Sequence, residues 1–259
     1  MQIVGCQADI AWENKSDNFQ RVREMLSSVS IKPGALVVLP EMFATGFSMN
    51  VAAIAEEAGG ETHEFMAELA RDLNCFVLGG LVTRAEDGRG RNEAVVFGPE
   101  GQTLDRYCKL HPFSYAGESK HFQAGEDLVI FEWYDFEVAP FICYDLRFPE
   151  VFRQAVRSGA ELMVVIANWP QSREAHWLTL LRARAIENQT YVVGMNRVGS
   201  DPQVAYGGHS LIVGPRGEIL AEAGSGPQVL SAEIELAPLL EYRQQFPALN
   251  DIRNEFFSE

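Results

Sequence analysis

Apolar residues along the chain fall into two patterns that alternate. Short unbroken apolar runs read as buried strands, and apolar positions spaced three and four apart read as helix faces. QIVGCQADI (2–10) is the first predicted strand. Phe19, Val22, Met25, Leu26 and Val29 follow at helical spacing, which predicts a helix to about Ser30. Asp17 to Gln20 resembles a capping box at its start. Pro33-Gly34 breaks that helix, and ALVVLP (35–40) is the next buried strand. Thr62 is expected to cap a second helix with Phe65, Met66, Leu69 and Leu73 on its apolar face. CFVLGGLVT (75–83) is a strand, and EAVVFGPEGQTLDRYCK (93–109) reads as a hairpin turning at Pro99 to Gly101.

The second half repeats the pattern. A strand pair spans about 127–142, with EVAPFICY as its second member. Pro149 opens a helix over VFRQAVRSGA, since its missing N–H is an orphan at that position in any case. ELMVVIAN is a strand, Ala175 to Asn188 a helix, and TYVVGMNRV a strand. GGHSLIVGPRGEILAEAG is a second hairpin around Pro215 to Gly217, and QVLSAEIEL closes the set. Each half carries a G-P-x-G turn, at 98–101 and 214–217. The alternation argues for an α/β protein with helices over sheet faces. Two similar halves point to a two-sheet αββα sandwich. Periodicity alone is equally compatible with one large doubly wound sheet. No linker or low-complexity stretch divides the chain, so one domain over 1–259 is expected.

Composition narrows the class. At 259 residues, with 47% hydrophobic and 22% charged residues, the chain has an ordinary globular balance. Its net charge of −15 carries no basic footprint for nucleic acid. An anionic ligand would need a local cation. Four scattered cysteines with no CxxC spacing suggest a reducing compartment, and a cytoplasmic protein is expected. The N-terminus has no basic leader region, and no apolar run approaches the roughly 20 residues of a membrane span. No membrane partner is expected.

Familiar nucleotide and zinc motifs are missing: there is no GxGxxG, GxxxxGK[ST] or HExxH, and the five histidines are dispersed. Cys143 is the cysteine in a chemically useful place, at the end of an apolar strand and before a Pro-opened helix. A thiol there serves as a nucleophile if a base takes its proton. The other reading of any such cysteine is a small buried hydrophobe. Glu41 directly follows LVVLP, and Lys109 ends the hairpin arm DRYCK. Each alone reads as a surface residue. Together the three supply a general base, an electrostatic clamp and a nucleophile.

LPEMFATGF, YCKLHPF and FICYDLRFPE, in that order, resemble the three catalytic segments of the nitrilase superfamily of carbon–nitrogen hydrolases. ESKHFQAGED, ANWP, the 176–199 segment and the 207–224 hairpin also resemble that family, so the likeness covers nearly the whole chain. The resemblance implies the αββα sandwich. It implies Glu41 as general base, Lys109 as oxyanion stabiliser, Cys143 as nucleophile and Glu118 as a second glutamate. The backbone N–H of Tyr144 would complete the oxyanion site. No metal or organic cofactor is implied.

Chain length, CYDLRFPE and ANWP are most similar to the omega-amidase branch. That likeness implies a small-molecule amide substrate, the terminal amide of 2-oxoglutaramate or 2-oxosuccinamate, hydrolysed to the 2-oxo dicarboxylate and ammonia through a thioester. A general aliphatic amidase, an N-carbamoyl amide hydrolase and a catalytically silent binding protein on the same fold are the alternatives. Arg147 and Arg173 are candidates for the substrate carboxylate, unless each pairs with Asp145, Glu150 or Glu174. Phe43, Tyr144 and Trp169 are candidates for the apolar wall. Superfamily members commonly pair through the helices beside the nucleophile strand, so a homodimer is expected. Trp177, Leu180, Leu181 and Ala185 share one face of the 175–188 helix, available either for pairing or for covering its own sheet. The 111–125 segment is the expected lid.

Overall fold

A computed structural model describes residues 1–253 and 255. The expected domain over 1–259 therefore includes residue 254 and residues 256–259, which lie outside the described residues. The strands of the first half are β1 (Gln2–Gln7), β2 (Leu36–Val38), β3 (Phe76–Arg84), β4 (Gly90–Phe97), β5 (Thr103–Cys108) and β6 (Phe122–Gln123). Those of the second are β7 (Phe131–Trp133), β8 (Phe136–Ile142), β9 (Leu162–Ala167), β10 (Tyr191–Asn196), β11 (Val198–Ser200), β12 (Ala205–Gly207), β13 (Leu211–Val213), β14 (Ile219–Glu222) and β15 (Gln228–Glu233). The helices are α1 (Lys15–Ser27), α2 (Val51–Ile54), α3 (Glu61–Leu73), α4 (Glu118–His121), α5 (Pro149–Arg157), α6 (Glu174–Asn188) and α7 (Leu236–Gln245).

All of these strands except β11 and β12, which pair with each other, form two large sheets with matching order. One runs β15-β1-β2-β3-β4-β5, with β6 beside β4, and the other runs β14-β13-β10-β9-β8-β7. In the first, β1, β2 and β3 are parallel and an antiparallel hairpin of β4 and β5 follows. In the second, β8, β9 and β10 are parallel, and β13 and β14 make the equivalent hairpin. Even the outer strands correspond: β15 lies antiparallel to β1, and β7 antiparallel to β8. Both G-P-x-G turns close alike, with the last glycine's N–H on the first glycine's carbonyl and that last glycine in the left-handed region.

The layering follows from burial on both faces of each sheet. One core contains Ile3, Leu36, Leu78 and Val96 from the first sheet with Val138, Phe141, Val164 and Val193 from the second. A separate core packs Val22 and Leu26 of α1 and Phe65, Met66 and Leu69 of α3 on the outer face of the first sheet. Trp177, Leu181 and Ala185 of α6 are fully buried with the second sheet's residues. A methyl group added at Gly194 of β10 would meet Leu181 and Trp177. This is the αββα sandwich, and it also settles the α6 face: it covers its own sheet.

Several local expectations shift. The first helix is capped by Asn14, whose side chain accepts the Asp17 N–H at 3.3 Å, not by a box starting at Asp17. It ends at Ser27, before the expected Ser30. Thr62 lies inside α3, and the Glu56 carboxylate takes its backbone N–H at 3.0 Å, so a distant carboxylate serves the helix start. The predicted strand TYVVGMNRV breaks at Arg197. The chain then makes the separate β11–β12 hairpin, which the sequence pattern did not predict.

Candidate active site

Three strand ends bring the chemistry together. Glu41 lies just past β2, Lys109 just past β5, and Cys143 just past β8. Glu41 and Cys143 each sit at the turn that follows their strand, with a left-handed residue in it. After β2 the chain passes Pro40 and enters a left-handed residue at Met42 (φ 45°). That turn rests on Gly80 of β3, where an added methyl would sit 2.4 Å from the Met42 nitrogen and 2.6 Å from the Glu41 Cα. Only a glycine permits this approach. Cys143 itself is left-handed (φ 46°), an uncommon conformation for a residue with a side chain. It starts a short 3₁₀ turn over Cys143–Arg147, and Pro149 then begins α5.

Lys109, Glu41 and Glu118 are buried together. The Lys109 ammonium contacts Glu41 Oε1 at 2.9 Å and both Glu118 oxygens at 2.9 and 3.1 Å. Burial pulls the ammonium's pKa down, but the charges of Glu118 and Glu41 outweigh it and hold Lys109 above its ordinary range. Asn92 of β4 donates to both carboxylates, at 2.7 Å to Glu41 and 3.0 Å to Glu118. Asn168, just past β9, holds Glu41 from the other side. Its N–H meets Oε2 at 2.8 Å, and its amide meets the Glu41 carbonyl at 2.7 Å. Glu118 also accepts the Phe113 N–H, which ties its loop to the cluster. Sequence reading missed Asn92 as a site residue and quoted Asn168 only within a motif. The signal for Asn92 was a polar side chain opening the apolar run of β4.

Cys143 Sγ lies 3.8 Å from the Asn168 carbonyl. Burial first, and then the charge of Glu41, push its thiol well above the ordinary cysteine range, and Lys109 offsets part of this. Such a thiol rests protonated and needs a base at the moment of attack. The other three cysteines are buried and unpaired.

Cys143 and Lys109 face a cavity of about 590 Å³. Tyr144, Arg147, Trp169 and Arg173 line it. Phe43 does not. The turn after Glu41 points it into the outer core, with ring centroids 6.2 Å from Phe19 and 5.9 Å from Phe65. Phe47, four residues later, takes the wall position, its ring 5.3 Å from the Lys109 ammonium. The Arg147 guanidinium lies 4.8 Å from the Trp169 ring. Arg173 lies 5.6 Å from Phe113 and 5.5 Å from Tyr115, two aromatics of the 111–125 segment. Among the described residues neither arginine has a carboxylate within 4.0 Å, so the pairings with Asp145, Glu150 or Glu174 are not made. The β11–β12 hairpin supplies Asp201 and Tyr206 to the rim. Buried Arg197 anchors it through the Ile10 and Val198 carbonyls at 2.9 and 3.0 Å.

An αββα sandwich with a buried Glu–Lys–Glu cluster beside a strand-end cysteine defines a carbon–nitrogen hydrolase. The carbon–nitrogen hydrolase family model matches residues 4–244, and the chain belongs to that family. Among its relatives, the omega-amidase YafV of Escherichia coli K12 is 38% identical over 97% of this chain and 96% of its own length. A 2-oxoglutaramate amidase of Bacillus subtilis is 34% identical over 98% of both chains. The crystal structure of XC1258 from Xanthomonas campestris, a CN-hydrolase superfamily protein with an arsenic adduct in its active site, superposes with a TM-score of 0.92. It is 33% identical and is covered over 97% of its length by 98% of this chain. No helix of the described residues is long and apolar enough to cross a membrane.

Proposed function

We propose that the protein is an omega-amidase. It hydrolyses the terminal amide of a small 2-oxo acid amide, 2-oxoglutaramate or 2-oxosuccinamate, to ammonia and the 2-oxo dicarboxylate, with Glu41, Lys109 and Cys143 as the working triad. The supporting observation is the cavity wall. Two guanidiniums without a carboxylate partner among the described residues share it with the candidate nucleophile in a protein of charge −15. That arrangement suits an amide carrying a carboxylate at its far end. The names of the relatives at 34% and 38% identity agree with it.

The reaction runs as two acyl transfers. Cys143 Sγ attacks the amide carbon as Glu41 takes the thiol proton, forming a C–S bond and an oxyanion. Lys109 brings charge to that oxyanion. The Tyr144 N–H, in the first turn of a 3₁₀ helix and so without an intrahelical acceptor, brings a hydrogen bond. The intermediate collapses, the C–N bond breaks, and Glu41 returns the proton to the leaving ammonia. Water then attacks the thioester while Glu41 takes its proton, the C–S bond breaks, and the proton returns to the thiolate. Glu118 holds Lys109 in place, and Asn92 and Asn168 keep the Glu41 carboxylate fixed. The reading also takes the chain as one domain that pairs as a homodimer in a reducing cytoplasm. Because Trp177, Leu181 and Ala185 serve their own sheet, pairing through α6 would use its outward residues, among them exposed Ile186.

Ammonia release from 2-oxoglutaramate, glutamine, a neutral aliphatic amide, a nitrile and an N-carbamoyl amino acid tests the substrate. The 2-oxo acid amide is expected to have the highest kcat/KM. A higher value for any other compound overturns this substrate.

A further inference from the structure

We propose that Asp145 is a positioning residue that fixes the Lys109 segment and the Cys143 turn to each other. Its carboxylate is fully buried, and among the described residues no Lys or Arg lies within 4.0 Å of it. Burying a carboxylate without such a partner is costly unless hydrogen bonds replace the lost water. Here they do. Oδ2 accepts the Tyr107 hydroxyl at 2.7 Å and the Ile142 N–H at 3.0 Å. Oδ1 accepts the His111 N–H at 2.9 Å and meets His111 Nδ1 at 2.8 Å. A carboxylate only accepts, so that ring nitrogen carries the proton.

The identity of the partners carries the inference. Tyr107 and His111 stand two residues before and two residues after Lys109, and Ile142 immediately precedes Cys143. One side chain therefore grips the ammonium's strand end on both sides and the nucleophile's strand end directly. The Phe148 N–H closes the Cys143 turn on the Asp145 carbonyl at 2.9 Å. The His111 ring then stacks on Phe148, with centroids 3.8 Å apart. A left-handed cysteine persists only where its surroundings over-determine it, and this network does so. The network serves chemistry rather than substrate affinity, because Asp145, Tyr107 and His111 do not line the cavity.

The inference rests on Cys143 being the nucleophile, and the experiment separates the two. Asp145→Asn keeps the shape but turns one accepting oxygen into a donor. The amide then opposes at least one backbone N–H in either orientation. Steady-state kinetics are measured on folded Asp145→Asn, Tyr107→Phe and Cys143→Ala, and the rate of Cys143 alkylation by iodoacetamide on the wild type and the first two variants. Displacement of reacting groups by about 1 Å predicts a kcat about 100-fold lower in Asp145→Asn with KM changed by less than about threefold. Alkylation of Cys143 is slowed in the same variant. Tyr107→Phe, which removes one of the donors, loses about tenfold in kcat per folded enzyme, with Tm lower by several degrees. Wild-type kcat and alkylation in folded Asp145→Asn overturn the proposal. So does a loss that follows only the folded fraction while alkylation of the folded enzyme stays at the wild-type rate. Where Asp145→Asn fails to fold, Tyr107→Phe decides, and unchanged kcat there overturns it. Activity remaining in Cys143→Ala sinks the nucleophile reading instead.

Discussion

At the residue scale the site is a problem of buried charge. Lys109 is 1% exposed and Glu41 and Glu118 are fully buried, so three ionisable groups have left water together. Their contacts repay the desolvation only because each carboxylate oxygen has a donor from Lys109, an asparagine or a backbone N–H. At the cavity wall Arg147 and Arg173 lie over aromatic rings, and among the described residues neither has a carboxylate partner, which supports their proposed role in taking the substrate's charge. Arg173→Ala is expected to raise KM for a carboxylate-bearing amide about tenfold or more while leaving KM for a neutral amide within about twofold. Equal effects on both substrates would remove Arg173 from recognition. Glu41 and Cys143 stood out in sequence because each ends an apolar run, whereas Lys109 ends the polar arm DRYCK and was singled out by the resemblance of its segment. Phe43 was misplaced because a turn's direction is not written in hydropathy. It aims one aromatic into the core and brings another, Phe47, to the wall.

At the element scale, the strands matter for what their ends present and how closely they approach. The pair Gly79-Gly80 in β3 shows the difference. A methyl group at Gly79 meets the Leu39 side chain at 3.0 Å and that of Met66 at 3.1 Å, which can yield by a few tenths of an ångström. At Gly80 it meets backbone of the Glu41 turn at 2.4 Å, which cannot yield without moving Glu41. Gly80→Ala is therefore expected to lower stability by about 1–3 kcal/mol and to cut kcat at least about tenfold. Gly79→Ala is expected to keep most activity. Thermal melts and kcat on both variants check this, and equal activity in the two would contradict the packing argument. Most helices and strands came through from periodicity, but α7 and the short α2 and α4 did not. The starts of α1 and α3 were missed, because Asn14 and Glu56 supply the capping contacts from outside the periodic residues, whereas Pro149 does open α5. The β11–β12 hairpin was invisible for a related reason: buried Arg197 holds it, not an apolar stripe.

At the scale of the molecule, duplication of pattern became duplication of structure. Each sheet has three parallel strands, an antiparallel hairpin on one side and an antiparallel strand on the other. Repeated G-P-x-G turns announced this. Periodicity could not choose between one sheet and two, since buried parallel strands look the same in either. Motif resemblance made that choice, and the two cores agree with it. The sandwich sets strand ends from both sheets side by side, so Lys109 of one sheet meets Cys143 of the other at a single cavity, with Glu41 buried against Lys109. The most direct test of this account is ammonia release from 2-oxoglutaramate by the wild-type protein and by Cys143→Ala at equal folded concentration. Steady release by the wild type with none above background from the variant is the predicted result. Substantial release by Cys143→Ala would contradict it, since the chemistry would then not pass through a thioester at this cysteine.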